Sequence, residues 1–132
     1  MSIEVYVQFF DSGEPSHVAT ADVLAAIGRP VVLDQSGWGT LSVGGVEWCG
    51  LTGVHGENTS NVCFHRPLIE PRLWVCIWQV LRLAHAVFYA PNDRRPLVAS
   101  ADTVAHLPVS LVESLGAPIV VRSGAEIAAT MR

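Results

Sequence analysis

Two cysteines, a histidine and a glutamate form the grouping in this chain that most resembles a metal site. Glu47 and Cys49 precede a polar, Gly- and Asn-rich loop at residues 53–61, and Cys63 and His65 follow it. If the flanking strands pair symmetrically about the loop, Cys49 lies opposite Cys63 and Glu47 opposite His65. Thiolate, imidazole and carboxylate groups are the usual ligands of zinc. Zinc sites normally show two close ligand pairs, so we interpret these residues as structural and predict no metal or other cofactor.

A serine, a histidine and an aspartate also occur at a suggestive spacing. Asp102 and His106 are four residues apart and can meet on one helical turn, with Ser100 or Ser110 nearby. A hydrolase of this type needs a nucleophile on a strained turn and donors for an oxyanion. The chain contains no GxSxG sequence and nothing that indicates an oxyanion hole. The pattern favours capping or surface hydrogen bonds, and we predict no catalytic residues.

Neither phosphate binding nor nucleic-acid binding has a motif here. The glycines between residues 37 and 56 follow neither the GxGxxG nor the GxxxxGK[ST] order, and they are typical of turns. The one adjacent basic pair is Arg94-Arg95, with no stripe of aromatic and basic residues beside it. We therefore predict that the chain does not bind nucleic acid.

Acidic and basic residues are unevenly distributed along the 132 residues. Residues 1–60 hold seven carboxylates and one arginine, a formal balance of −6, whereas residues 61–132 hold seven arginines and five carboxylates, a balance of +2. An acidic region attracts basic surfaces over long distances and repels nucleic acid and anionic membranes. This asymmetry predicts a partner with a basic surface.

The cysteines and the first residues of the chain indicate a compartment. Three cysteines without a CxxC motif cannot all pair, which is typical of a reducing environment. The start Met1-Ser2-Ile3-Glu4 has neither the basic nor the apolar stretch of a secretory signal. We expect a cytoplasmic protein.

Hydrophobic periodicity predicts a single α+β domain over residues 1–132. We expect a mostly antiparallel sheet of about five to seven strands, with one long helix and two or three short helices packed on it. Alternation predicts a strand over Ile3–Phe10, and Gly44-Gly45 predicts a two-residue hairpin that pairs Val43 with Val46 and Leu41 with Trp48. Half of the residues are hydrophobic, which is enough for a substantial core.

The longest apolar stretch predicts a helix of the core rather than a membrane span. It begins at Pro71, a proline suited to the first helical position, and is expected to end near His85. Arg72, Gln79 and Arg82 fall on one arc of this helix, opposite its aliphatic side chains. We therefore predict no membrane association.

Trp38 differs from the other tryptophans because it lies in a loop between turn signals. The loop sequence is Asp34-Gln35-Ser36-Gly37-Trp38-Gly39. A loop tryptophan beside carboxylates is typical of a binding hot spot. The alternative is that Trp38 folds back as a lid on the core, because tryptophan is commonly well buried.

Parts of the chain resemble a group of small bacterial proteins. The strings are VYVQFFDSGEP, RPLIEPRLW, RPLVASADTVAHLPVSLVESLG and VVRSGAEI. They look like immunity proteins, which are encoded near toxin or secretion-system genes. The resemblance implies a compact α+β domain without catalytic activity, which blocks a cognate toxin by binding it.

The charge asymmetry and the resemblance together predict a non-enzymatic, immunity-type protein that binds a toxin through its acidic, loop-rich first half. The candidate partner-binding residues are Asp11, Glu14, Asp34, Trp38, Glu47 and Glu57. One alternative is a small enzyme or a ligand- or metal-binding domain with a site near Cys63, His65 and His85. Another is a subunit of a larger complex that makes an apolar contact through Val75, Trp78 and Val87. The oligomeric state stays open.

Overall fold

The computed structural model describes residues 3–91 and 94–131. Its strands are β1 (Glu4–Asp11), β2 (Glu14–Pro15), β3 (Val18–Ala19), β4 (Val31–Leu33), β5 (Gly39–Val43), β6 (Val46–Thr52), β7 (Asn58–Thr59), β8 (Asn61–His65), β9 (Ala86–Tyr89), β10 (Leu97–Val98) and β11 (Ile119–Val120). Its helices are α1 (Thr20–Ile27), α2 (Pro71–Leu81), α3 (Val109–Leu115) and α4 (Gly124–Thr130), with a 3₁₀ helix over Ala101–His106.

The predicted fold class is confirmed, with more strands than expected. Within the described residues, nine strands form one sheet in the order β11-β10-β9-β1-β8-β6-β5-β4, with β2 added to β1. Strands β3 and β7 form a separate pair. The pairs of the large sheet are antiparallel except β10 with β11, which is parallel. The extra strands are two- or three-residue segments that are too short to show periodicity.

Strand β1 lies in the centre of the sheet and separates two environments. Val5, Val7 and Phe9 are fully buried and face α1, α2 and α4; we call this side the helix face. The alternate residues Tyr6 and Gln8 lie on the other side, which we call the open face. Since successive side chains of a strand point to opposite faces, each neighbouring strand also divides its residues between these two environments.

A smaller cluster covers one part of the open face. Phe10, Val87, Val98 and Leu107 are buried together under the 3₁₀ helix and α3. The rest of that face extends toward β4. Polar and aromatic side chains of β1, β6 and β8 occupy it.

The hairpin of β5 and β6 is confirmed, but its predicted register is wrong beyond the first pairs. Val43 pairs with Val46, and Gly44 and Gly45 both have positive φ, as a primed turn requires. A β-bulge follows, so Leu41 pairs with Cys49 instead of Trp48. The extra residue lets Trp48 and the adjacent Cys49 both join the helix-face core, which strict alternation forbids.

Helix α2 begins at Pro71 as predicted and ends at Leu81, about one turn before the predicted end at His85. Its fully or nearly fully buried residues include Leu73, Ile77 and Leu81 on the helix face. In the described part of the chain, no helix has the length and apolarity needed to cross a membrane.

Helix α4 approaches α2 unusually closely because it begins with Gly124. A Cβ atom on this glycine would lie 2.6 Å from the carbonyl carbon of Trp74 and the nitrogen of Val75. The Ser123 hydroxyl caps α4 by accepting from the Glu126 N–H at 3.2 Å, and the Glu126 carboxylate accepts from the Arg122 N–H at 2.7 Å. These two bonds form a capping box whose second bond is shifted by one residue.

Candidate functional site

The loop between β4 and β5 is built around the carboxylate of Asp34. Its Oδ1 accepts from the Ser36 N–H at 2.8 Å, the Ser36 hydroxyl at 2.6 Å and the Trp38 N–H at 3.1 Å. The Asp34 N–H donates to the Trp38 carbonyl at 2.9 Å, and Gly37 has a φ of 89°. These bonds, the Ser36 hydroxyl first, lower the pKa of Asp34. The loop is consequently fixed in one conformation by a charged residue at its first position.

This loop places the Trp38 ring over the open face. The ring lies against the His65 imidazole, with 4.6 Å between centroids and a tilt of 33° between the ring planes. A Cβ atom on Gly50 would lie 2.2 Å from the Trp38 Cζ2, so only glycine leaves room for the ring there. The side chain nevertheless remains 41% exposed. Trp38 thus covers part of the sheet with one side of its ring, and the rest of the ring is accessible from outside.

His65 connects this aromatic lid to a small polar cluster. Its Nε2 lies 2.9 Å from the Thr52 hydroxyl. Its Nδ1 lies 3.8 Å from both the Glu4 carboxylate and the Cys63 sulfur. The cluster has the same three groups, thiol, imidazole and carboxylate, as a catalytic triad. In a triad the nucleophile and the carboxylate use different ring nitrogens, whereas here the Cys63 thiol and the Glu4 carboxylate both approach Nδ1.

The Cys63 thiol is poorly suited to act as a nucleophile. Burial, and secondarily the nearby Glu4 carboxylate, raises its pKa above the usual value. A reactive cysteine needs the opposite shift, because the thiolate is the attacking species.

Next to Cys63, two tyrosines continue the open face across β1 and β9. The Tyr6 and Tyr89 rings stack at 5.0 Å with an interplanar angle of 16°. The Tyr89 hydroxyl donates to the Gln8 Oε1 at 3.2 Å. Burial raises the pKa of both phenols, so they remain neutral hydrogen-bonding groups.

The predicted pairing of Cys49 with Cys63 and of Glu47 with His65 is wrong. The structure pairs Cys63 with Thr52 and His65 with Gly50. The connecting loop is asymmetric because its Asn58–Thr59 segment pairs with β3, which shifts the register by three residues. An odd shift reverses the face, so Cys49 lies in the helix-face core, where burial raises its pKa to about 12.

Among residues 3–91 and 94–131, no group of three or more His, Cys, Asp or Glu side chains is arranged to hold a metal ion.

The third residue of the alternative site, His85, lies far from the other two. It stacks on His106 at 3.6 Å, and its carbonyl accepts from the Phe10 N–H. Phe10 is six residues along β1 from Glu4, which pairs with His65, so the two histidines are about 20 Å apart along the strand. The structure does not bring Cys63, His65 and His85 into one site.

His106 also has a different partner from the one considered in a hydrolase triad. Its Nδ1 lies 3.3 Å from the Asp11 carboxylate and accepts from the Ser12 N–H at 3.1 Å. Ser100 caps the 3₁₀ helix by accepting from the Asp102 N–H.

The structure also changes the alternative of a subunit that makes an apolar contact through Val75, Trp78 and Val87. Val87 is fully buried and cannot make an external contact, whereas Val75 is 47% exposed.

The six predicted partner-binding residues are all exposed, and the structure places them at three locations. Asp34 and Trp38 belong to the β4–β5 loop. Glu57 belongs to the adjacent β6–β7 loop, whose His55 ring would lie 2.9 Å from a Cβ atom on Gly37. Asp11 and Glu14 form the turn between β1 and β2.

Four of these carboxylates, Asp11, Glu14, Asp34 and Glu57, lie toward the end of the sheet where β1 and β6 finish, and we call this group the acidic end. The group is spread out, because the Asp34 loop is level with Thr52 and Tyr6, and Asp11 lies five residues, about 17 Å, beyond Tyr6. Glu47, at the start of β6, lies five residues before Thr52 and therefore about 17 Å from it in the opposite direction.

Sequence reasoning missed the open face itself. Tyr6, Tyr89 and Gln8 were not singled out, although the alternation in β1 placed Tyr6 and Gln8 together on the face opposite Val5 and Val7. The signal that could have found them is the occurrence of tyrosine and glutamine at successive positions of that face, because a buried face would carry aliphatic residues.

A comparison with protein-family models found no matching family, and comparisons with curated proteins and with solved structures found no significant match.

Proposed function

We propose that this chain is a non-enzymatic, immunity-type protein that binds a basic protein partner, a cognate bacterial toxin, through its acidic end and Trp38. The observation that supports this most is the Asp34–Trp38 loop. It presents a half-exposed tryptophan beside a carboxylate whose charge is favoured by three hydrogen bonds.

A fixed aromatic side chain is an efficient binding group because little conformational entropy is lost when a partner covers it. Trp38 is already held against Gly50 and His65 before any partner arrives. Tryptophan is also among the residues most enriched in binding hot spots. A partner that covers Trp38 also covers Asp34, since the two residues share one hydrogen-bonded loop.

The carboxylates of the acidic end supply a long-range attraction. Asp11, Glu14, Asp34 and Glu57 are exposed and come from three different turns at one end of the sheet. Like charges on one end of a small domain accelerate the approach of an oppositely charged partner. This supports a partner with a basic binding surface.

The proposal is tested by capturing partners from the native host with the tagged chain and identifying them by mass spectrometry. We expect a stoichiometric protein with a basic surface, encoded near this gene and toxic when expressed alone. Co-expression with the wild-type chain should restore growth. A retained partner that is not toxic, or a captured toxin that stays active when saturated with this chain, contradicts the immunity function.

With the captured partner in hand, variants at the two ends of the sheet test the surface. Trp38→Ala should weaken the complex by at least ~2 kcal/mol, measured by calorimetric titration. The double reversal Asp34→Arg with Glu57→Arg should slow association, and more strongly at low salt than at high salt. The matched control compares Glu47→Arg with the single reversal Asp34→Arg, because both change the net charge by the same amount, and Glu47→Arg should slow association much less. Equal effects of both reversals contradict binding at the acidic end.

A further inference from the structure

The outer edge of β4 carries an uncovered set of backbone and apolar groups. No strand of the described chain pairs with the edge of β4 that faces away from β5. Val32 is 71% exposed and Leu33 is 40% exposed. Large aliphatic side chains on a free edge strand are unusual, because such edges pair readily with other chains.

The backbone groups that point outward are those of Val31 and Leu33. The Asp34 N–H donates inward to Trp38, and Val32 pairs with Thr40 two residues earlier in the same ladder. Inward and outward groups alternate in an antiparallel ladder, so the groups of Val32 also point inward. Val31 and Leu33 therefore point their N–H and C=O groups outward, where a further strand can pair with them.

These groups are complementary to a second copy of themselves. If two β4 strands meet antiparallel about a two-fold axis at Val32, Val31 of each copy lies opposite Leu33 of the other. Each of these pairs can exchange two hydrogen bonds, which gives four in total. The two Val32 side chains then meet at the axis, where side chains of opposite residues come into contact.

Charge and sequence at the ends of β4 favour the same arrangement. Arg29 precedes the strand and Asp34 follows it, so antiparallel pairing brings Asp34 of one copy beside Arg29-Pro30 of the other. A parallel arrangement would instead place like charges together. A two-fold contact of this kind uses the same edge of both copies, so it closes on itself and does not lead to open-ended assembly.

We propose that two copies of this chain associate through antiparallel pairing of β4 with β4, which joins their sheets into one. The interface goes beyond the proposed binding of a toxin and does not depend on it. Because three residues bury less than the roughly 1,200 Å² of a stable interface, we expect a weak dimer, with a Kd of the order of 100 μM.

Sedimentation analysis of the full chain between about 10 μM and 1 mM tests this proposal in the range set by that Kd. The measured mass should rise from the 14.2 kDa of one chain toward twice that value. A mass that stays at one chain at the highest concentration overturns the proposal.

Substitutions at the axis test the geometry. Val32→Glu and Val32→Lys should each stay monomeric, because like charges would face each other, whereas an equimolar mixture of the two should associate at least tenfold more tightly than either alone. Val109→Lys, at a residue of α3 that is 72% exposed, is the control and should dimerise like the wild type. Circular dichroism checks that each variant is folded. Dimerisation of the single Val32 variants, or no gain on mixing, places the contact elsewhere and overturns the proposal.

Discussion

The helix face and the open face of the sheet are built from the same strands, yet they are held together differently. On the helix face, Val5, Val7 and Phe9 pack against three helices in a continuous apolar layer. On the open face, the same strand contributes Tyr6 and Gln8, which meet an aromatic ring and several hydrogen-bonding groups. A loop side chain, Trp38, replaces a helix as the cover.

In this domain, the residues that stabilise the fold and the residues that stay accessible to a partner lie on opposite faces of one sheet. Burial of aliphatic side chains supplies most of the folding free energy, and its loss is costly at any fully buried position. An open face of polar and aromatic residues contributes less but remains available to a partner. Substitutions on the helix face should therefore lower the free energy of unfolding most, and those on the open face should lower it less.

The largest effect is expected from Ile77→Ala on the helix face. Ile77 is fully buried between α2 and the sheet, so its truncation should lower the free energy of unfolding by about 2–5 kcal/mol. Urea denaturation measures this. Val75→Ala in the same helix, at a residue that is 47% exposed, is the matched control and should cost less than about 1 kcal/mol. Equal losses of unfolding free energy in the two variants would contradict the assignment of Ile77 to the buried side of α2 and Val75 to its exposed side.

Gly50→Ala should have an intermediate effect, because the new methyl group displaces the Trp38 ring. The methyl carbon would lie 2.2 Å from Cζ2, which is too close to be accommodated. We expect a loss of about 1–3 kcal/mol in the free energy of unfolding, together with a shifted Trp38 indole N–H signal in NMR spectra.

The same substitution in a Trp38→Ala background tests the cause of that loss. With the ring absent, the methyl group meets no obstacle there, and the cost should fall by at least half. The same cost in both backgrounds would mean that Trp38 does not lie over Gly50.

Tyr89→Phe should have a small effect on the open face. It removes the hydroxyl that donates to Gln8 at 3.2 Å but keeps the ring that stacks on Tyr6. The expected loss is about 0.5–1.5 kcal/mol. Urea denaturation of Tyr89→Phe and of Gln8→Ala should give non-additive losses in the double variant. Full additivity would show that the hydrogen bond contributes nothing.

Asp34→Asn should have the smallest effect and a distinct pH dependence. Hydrogen bonds to the ionised carboxylate hold the pKa of Asp34 below its usual value, so its ionised form stabilises the folded chain at neutral pH. The stability difference between wild type and variant should be constant above about pH 5 and shrink as the pH falls below the usual aspartate pKa of about 4. Urea denaturation between pH 7 and pH 3 measures it, and Glu47→Gln controls for the loss of one carboxylate. A difference that grows on acidification contradicts the assignment.

Much of the fold could be predicted because its signals are local. Alternation identified β1, Gly44-Gly45 identified the hairpin, and Pro71 marked the start of α2. Gly28 ends α1 with a φ of 68°, a left-handed conformation that glycine adopts readily and that makes helix ends of this type a local signal.

The relative position of distant segments could not be predicted in this way. The bulge at Trp48 and the short β7 strand each change a register, and neither has a periodic pattern. For this reason Cys63 and His65 were singled out correctly as neighbours, while Glu47 and Cys49 were matched to them wrongly. The contact of Trp38 with Gly50 depends on the same register, which sequence patterns alone do not define.

The central place of β1 determines how this chain can fold while it is being synthesised. Besides the short β2, which pairs only with Phe10 and Asp11, the partners of β1 are β8 and β9, whose residues follow Asp11 by about 50 and 75 positions. At roughly 5–20 residues per second, a ribosome needs several seconds to complete both partners after β1 emerges. During that interval Val5, Val7, Phe9 and Phe10 have no sheet to join. The nascent chain therefore exposes an apolar strand for which a chaperone is a natural temporary partner.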